Sequence, residues 1–130
     1  MPIARVDVIA GKSAGYKQAL LDGIHDALVH ALKIPKDDRN QVLTEHAAGD
    51  FERRAGQSDK FTIIEITMFK GRSLDAKRAL YQRIVENLKK KPGIEGNDIL
   101  IVLHEPPLEN WGIHGGKAAC DVDIGFKIDV

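Results

Sequence analysis

Disulfide chemistry is missing from this chain. Cys120 is its single cysteine, which excludes an internal disulfide framework and suits a reducing compartment, so a cytoplasmic location is expected. An excess of charge of one sign is missing too. With 19 basic and 19 acidic residues the formal net charge is zero, and the footprint of a nucleic-acid-binding surface is not there. No apolar run approaches the ~20 residues that cross a bilayer. The opening MPIARVDVIAGK has neither the basic start nor the long apolar stretch of a secretory signal. Phosphate-binding loops, the dinucleotide fingerprint and the nucleophile elbow do not occur. Metal-ligand spacing is lacking as well, so no metal is expected. His25 and His30 are five apart on one predicted helix and point in different directions, as surface histidines, while His46, His104 and His114 fall in separate segments. Cys120 has no sequence partner that would activate it and is expected to be structural. Lys89, Lys90 and Lys91 read as the solvated end of a helix. What the chain does have, over 130 residues, is 43% apolar and 29% charged content, the composition of one soluble globular domain (1–130) with a single core.

Displacing the sequence by 60 residues lays one half on the other without a gap. Ile3 falls on Ile63, Gly11 on Gly71, Ser13 on Ser73, Lys17 on Lys77, Leu20 on Leu80 and Ile24 on Ile84. The register continues through Leu28 on Leu88, Ile34 on Ile94, Asp38 on Asp98 and Glu45 on Glu105. Thirteen of the 43 positions from 3 to 45 are identical, well above the few that unrelated segments share, and Phe51 and Trp111 also coincide. The chain therefore reads as a duplicated unit, with repeats about 2–46 and 62–106.

Each unit reads strand, helix, strand. Ala4, Val6 and Val8 alternate with Arg5 and Asp7, the period of a half-covered strand. Ser13 is placed to cap a helix, and Leu20, Ile24, Leu28 and Leu32 form its apolar stripe until Ile34-Pro35 stops it. Asn40 to Glu45 follows as the second strand. In the second unit Ile64, Ile66 and Met68 alternate, Ser73 caps, and Leu80, Ile84 and Leu88 make the stripe. Ile99 to Leu103 is apolar throughout and predicts a strand buried on both sides. The two strands of one unit should run parallel through a crossover. The fold class is α/β (α+β): two tandem β-α-β units making a four-stranded sheet with two helices on one face. The linker 47–60 is polar, with Phe51 its candidate for packing, and in the tail the alternation of Val122, Ile124, Phe126 and Ile128 predicts a strand over 121–129. Ile63, Phe69 and Ile101 are left for the other face of the sheet. Covering that face takes another layer, most simply in an oligomer.

The candidate for chemistry is the residue after the initiator methionine. Proline at position 2 is a permissive context for methionine removal, which would expose Pro2 as a secondary amine at the mouth of the first strand. An N-terminal amine starts near a pKa of about 8, and burial beside cations lowers it. Such an amine is a general base near neutral pH without help from a histidine. With methionine retained, the Pro2 nitrogen is an amide and no base.

Met-Pro-Ile opening a strand, Gly11-Lys12-Ser13 in one half and Lys70-Gly71-Arg72-Ser73 in the other, two fused units, and the run from Glu109 to Gly116 together resemble the tautomerase superfamily. Its short members, such as 4-oxalocrotonate tautomerase, are single units whose N-terminal proline is the catalytic base. Among fused members the pattern resembles the malonate semialdehyde decarboxylase group. A stretch of the form P-x-x-D-R-x-Q-x-x-x-E-H is similar to Pro35 to His46, R-S-x-x-x-K to Arg72 to Lys77, and W-x-x-G-x-G-K-A in general form to Trp111 to Ala118. The resemblance implies Pro2 as the catalytic amine, Arg72 as the guanidinium that grips a substrate carboxylate, and Asp38 as the acid that accompanies the proline. Asp98 at the equivalent place leaves a turn or cap role open for Asp38. Lys70 stands where the decarboxylase pattern has a second arginine, and keeps the charge without the bidentate grip. The aromatic hydroxyl of related dehalogenases would fall on Val102, which speaks against that activity. Trp111 inherits a place on the pocket wall, with a plain core tryptophan as the other reading, and Phe51 is a second candidate wall. Thr62 replaces Pro2 in the second unit, so of the equivalent cations Arg72 would serve the base, and Lys12 would be a relic or a surface charge.

The function so implied is a cofactor-free tautomerase of small 2-oxo or 2-hydroxydienoate acids, working as a homotrimer on a small carboxylate. Three alternatives stand beside it. One is a decarboxylase or hydratase with protonated Pro2 and Asp38. The second is a non-catalytic trimeric acid-binding protein, and the third a ferredoxin-like small-molecule-sensing module.

Overall fold

Alternation in the strands and a four-residue apolar stripe in the helices can be satisfied together only if both helices lie on one side of the sheet. The computed structural model, which describes residues 2–130, has this arrangement. The order is β1 (Pro2–Ile9), α1 (Ala14–Leu32), β2 (Asn40–His46), β3 (Thr62–Met68), α2 (Leu74–Lys90) and β4 (Ile99–His104), followed by a short hairpin, β5 (Gly112–Ile113) and β6 (Lys117–Ala118). The sheet order is β2-β1-β3-β4, with β1 parallel to β2, β3 parallel to β4, and the two units joined by antiparallel pairing of β1 and β3. Ala4, Val6, Val8, Ile64, Ile66 and Met68 meet Leu20, Ile24, Leu28, Leu80, Ile84 and Leu88 in the main core. Burying each large aliphatic side chain there contributes about 1.5–3 kcal/mol. The helices approach closely at Gly23, where an added Cβ would stand 2.9 Å from Leu88 Cδ2. Asn87 Nδ2 donates to Gly23 O across that contact at 3.0 Å. Among the described residues no helix is long and apolar enough to cross a membrane.

The 60-residue displacement holds in three dimensions. Ser13 Oγ accepts from Tyr16 N and Ser73 Oγ from Ala76 N, each at 3.1 Å, with cap ψ angles of 162° and 161°. Lys17 pairs with Glu45 in the first unit and Lys77 with Glu105 at 2.6 Å in the second, each tying the start of a helix to the end of a strand.

Five expectations are corrected. Ile101 faces the helices, because β4 pairs Ile101 with Ile64 and Leu103 with Ile66, both core residues. β4 is an edge strand rather than one covered on both sides, and Leu100 and Val102 remain 48% and 37% exposed on its outer side. Within this chain the tail 121–129 forms no strand; its alternation survives as alternating burial, with Val122, Ile124 and Ile128 laid against the cluster of Phe69 and Trp111. His25 is buried, not at the surface, and donates from Nε2 to Lys36 O at 2.7 Å, tying α1 to the loop that follows it. Cys120, expected to be structural, is exposed.

Candidate active site

Strand register brings three segments to one end of the sheet. Antiparallel pairing sets Pro2 opposite Met68, and parallel pairing sets Ile3 opposite Asn40. The start of β1, the chain leaving β3 and the loop entering β2 therefore converge, and they carry Pro2, Lys70, Arg72 and Asp38. Pro2 is buried at the strand start; Met1, whose removal would free its nitrogen, lies outside the described residues.

Arg72 is the most constrained of these groups. It is only 5% exposed, and Nη1 donates to Phe69 O at 2.9 Å, while Nε and Nη2 have no hydrogen-bond partner among the described residues. The Phe126 ring of the tail lies over the guanidinium, 6.0 Å from Cζ to centroid. The tail is seated there by Val130 O, which accepts from Ser73 N at 2.9 Å, and by Ile128 against Gly71. Burial lowers the Arg72 pKa from its ordinary value, while the charges of Glu105 and Asp38 act to raise it. A buried guanidinium donor without an acceptor costs about 1–3 kcal/mol, and the planar fork of a guanidinium matches the geometry of a carboxylate.

Asp38 is half-buried after a turn in which its N–H donates to Pro35 O at 3.1 Å. It lines a cavity of about 260 Å³ whose walls include Asp37, Phe69, Ile113, His114 and Phe126. Lys70 is exposed just beyond β3. Trp111 stands behind this wall rather than on it. Its indole meets Phe69 edge-on at 4.8 Å and donates from Nε1 to Pro106 O at 3.1 Å, so it supports the ring that does line the cavity. Phe51 lies at the opposite end of the sheet, packed with Ile9 and Phe61 and 5.5 Å from the His46 ring. The register thus gathers Pro2, Asp38, Lys70 and Arg72, backs them with Trp111, and leaves Phe51 apart. Phe69, Ile113, His114 and Phe126 were missed as wall residues. The available signals were the position of Phe69 directly before the Lys70–Ser73 run and the alternation of the tail. Among the described residues no three of His, Cys, Asp or Glu stand together as metal ligands.

The fold is a duplicated β-α-β scaffold with Pro2, Lys70, Arg72 and Asp38 carried at one end of its sheet. Two family models match it, both described as tautomerase enzyme, one over residues 38–114 and the other over residues 2–54. The chain belongs to the tautomerase enzyme family. It is 25% identical over 123 residues to probable tautomerase YusQ of Bacillus subtilis (strain 168), spanning 91% of this chain and 97% of that protein. Among solved structures it is similar to FG41 malonate semialdehyde decarboxylase inhibited by 3-bromopropiolate, at 31% identity and a TM-score of 0.83 over 94% of this chain and 98% of that one. It is also similar to a fused 4-OT wild type symmetric trimer, Q0, at 26% identity and a TM-score of 0.80 over 91% and 96% of the two chains.

Proposed function

We propose that this chain is a cofactor-free isomerase that tautomerises small 2-oxo or 2-hydroxydienoate acids, with Pro2, freed of Met1, as its general base. The observation that carries this reading is Arg72, buried with two unpartnered donors at the sheet end where β1 begins. The substrate carboxylate docks on Nε and Nη2, with Lys70 as a second cation. The unprotonated Pro2 nitrogen removes the proton α to the carbonyl, the electron pair moves into the conjugated system as a dienolate, and the proton returns to a carbon farther along the chain. Arg72 and Lys70 stabilise the developing charge, by about 3 kcal/mol on the scale of one preorganised donor. Phe69, Ile113 and Phe126 supply the apolar wall of the cavity beside Asp38. Replacing Pro2 by Ala should lower enol-keto turnover of phenylpyruvate by about 100-fold or more and leave the unfolding midpoint nearly unchanged. Full turnover in that variant, with methionine removal established by mass spectrometry, removes Pro2 from the mechanism.

A second reading is supported by Asp38, which shares the cavity and whose charge acts on Arg72, and by the likeness to a malonate semialdehyde decarboxylase. Here Pro2 stays protonated and polarises a carbonyl, while Asp38 handles a proton or water during decarboxylation or hydration of a three-carbon oxo acid. An NMR titration of the Pro2 nitrogen separates the two: neutral at pH 7 for the isomerase, charged for the lyase. The assembly belongs to the same proposal. Val42, Leu100 and Val102 lie exposed on the outer sheet face, and a fused 4-OT of this fold is a symmetric trimer. A homotrimer covers that face, and a monomer by sedimentation at micromolar concentration refutes it.

A further inference from the structure

A carboxylate bound on Arg72 would have to reach donors that this structure keeps covered. Nε and Nη2 are buried atoms without a partner among the described residues, and Nη1 is held by Phe69 O at 2.9 Å, which fixes the fork in its covered position. Arg72 is not among the residues that line the cavity of about 260 Å³ beside Asp38. Phe126 does line it. The same ring lies over the guanidinium at 6.0 Å and is stacked on Phe69, with centroids 6.4 Å apart and planes at 28°. One aromatic ring thus borders both the cavity and the cation.

The segment that carries the ring is lightly attached. From 121 to 130 half-buried residues alternate with exposed ones, and none is fully buried. Among the described residues a single backbone hydrogen bond joins this segment to the rest of the fold, from Ser73 N to Val130 O at 2.9 Å. Directly before the ring Gly125 has φ +81°, and its N–H donates to Asp123 Oδ1 at 2.8 Å. A glycine in such a turn can absorb the backbone change of a hinge. Phe126 and Val130 lean on the helix-side core, not on the outer sheet face where Val42, Leu100 and Val102 lie exposed. A segment held by one backbone bond and half-buried side chains opens at a far lower free energy than the whole fold unfolds. While it is closed, the face of the ring gives the buried guanidinium an electrostatic partner.

We propose that residues 126–130 form a gate hinged at Gly125, closed over Arg72 by the Phe126 ring, whose opening joins the Asp38 cavity to the guanidinium. The purpose of the gate rests on the reading of Arg72 as the anchor of a substrate carboxylate; its existence does not. In this arrangement Phe126 occupies the approach that the anion needs, and the anchor is reached only by a movement of the chain.

The Arg72 Nε–H makes no hydrogen bond among the described residues, so cover alone keeps water from it and its exchange reads the gate. NMR on the isotope-labelled full chain can follow that proton, the Ser73 amide bonded to Val130, and the amide of fully buried Ile84 within α2. Each rate is referred to the same group in an unstructured peptide. Arg72 Nε–H and Ser73 N–H should be protected to the same extent, and at least about 100-fold less than Ile84. Phe126→Ala should lower both protections about tenfold relative to Ile84. Ile128→Ala, which loosens the segment and keeps the ring, should act in the same sense and serves if Phe126→Ala does not fold. The gate is overturned if Arg72 is protected as strongly as Ile84, so that only global unfolding uncovers it, or is not protected at all. It is overturned if Arg72 exchanges while Ser73 stays protected, because the guanidinium then swings out under a fixed tail. Protection that neither variant moves relative to Ile84 overturns it too, as does protection lost on dilution, which makes a second copy of the chain the cover. None of these measurements needs turnover. Phenylacetate, a carboxylate without a 2-oxo group, should then slow both exchanges and shift the Arg72 Nε–H resonance. If the gate opens as expected and phenylacetate leaves Arg72 unchanged, the docking of a carboxylate on Arg72 fails and the gate stands.

Discussion

Lys12 and Arg72 begin from the same anchorage in the two halves of the molecule. Lys12 Nζ donates to Ile9 O at 3.4 Å and Arg72 Nη1 to Phe69 O at 2.9 Å, carbonyls 60 residues apart. From there they diverge. Lys12 lies over the Tyr16 ring at 5.8 Å and makes a second bond, to Asp59 O at 2.9 Å. The image of Tyr16 is Ala76, and the Phe126 ring from the tail lies over Arg72 in its half. One cation is half-buried and bonded; the other is buried and, among the described residues, has donors left over. The aspartates differ in the reverse sense. Asp98 is buried and bonded through both oxygens by Ser58, whereas Asp38 stands on a cavity wall. Backbone geometry is common to both ends, and the neighbour each side chain happens to meet decides whether its polar atoms are bonded within the fold or turned to a cavity.

The contrast breaks most readily at the cations. Arg72→Ala should reduce kcat/KM on a carboxylate substrate by about 10- to 150-fold, the equivalent of ~1.5–3 kcal/mol for a lost charge-assisted hydrogen bond. Lys12→Ala should stay within about twofold, since a half-buried lysine whose ammonium rests on two carbonyls is replaced by water. Steady-state kinetics of the two variants on one substrate decide it, and a crippled Lys12 variant reverses the assignment of the halves.

Stability sharpens the same comparison in the opposite direction. Asp98→Ala strands the Ser58 N–H and hydroxyl and should cost about 1–3 kcal/mol in urea unfolding, with the linker wall loosened. Asp38→Ala should cost clearly less. Equal losses would mean that the two carboxylates do the same structural work.

The smallest effect concerns Tyr16 and Ala76. Burial, then the charges of Asp59 and Asp98, push the Tyr16 phenol up to about 12, from an ordinary value of about 10. The native state therefore keeps a proton that the unfolded chain releases first. Stability from this group is fully present below pH ~10 and is lost as pH rises towards about 12. Tyr16→Phe should flatten that slope without changing stability at pH 7, and phenolate absorbance in a Tyr81→Phe background reports the titration itself. A Tyr16 midpoint near 10 would show that the ring is solvated.

The frame of this protein was legible wherever a rule is local. Ser13 and Ser73 cap because a hydroxyl before an apolar stripe reaches the third N–H of a helix. The alternation of Val6 with Asp7 and of Ile64 with Glu65 places one side of each strand on the helices. Arg72 and Asp38 were legible as candidates through the repeat and the resemblance. What escaped depends on contacts across long separations. Ile99 to Leu103 is uniformly apolar, and only its pairing at the sheet edge reveals which side is open. Trp111 and Phe69 are both large and aromatic, and which one faces the cavity is set by their edge-on contact, 42 positions apart in the chain. The tail has the period of a strand, yet side-chain packing on Phe69 and Trp111 supplies that period without a ladder. His25 is buried because a carbonyl 11 residues on happens to meet its ring.

Gly71 has a methyl group of Ile128 seated where its own Cβ would be, 2.7 Å from that position. At Gly11, the image residue, an added Cβ meets nothing within 4 Å, although both glycines have positive φ, 142° and 105°. Alanine at either place brings backbone strain of the same kind. Only at 71 does it also act as a wedge, lifting the tail and the Phe126 ring from the guanidinium beneath. The two substitutions form a matched pair whose difference isolates what it takes to keep water off Arg72 while the charge itself stays in place. Deleting the arginine mixes those two quantities; a single methyl group on the neighbouring residue separates them.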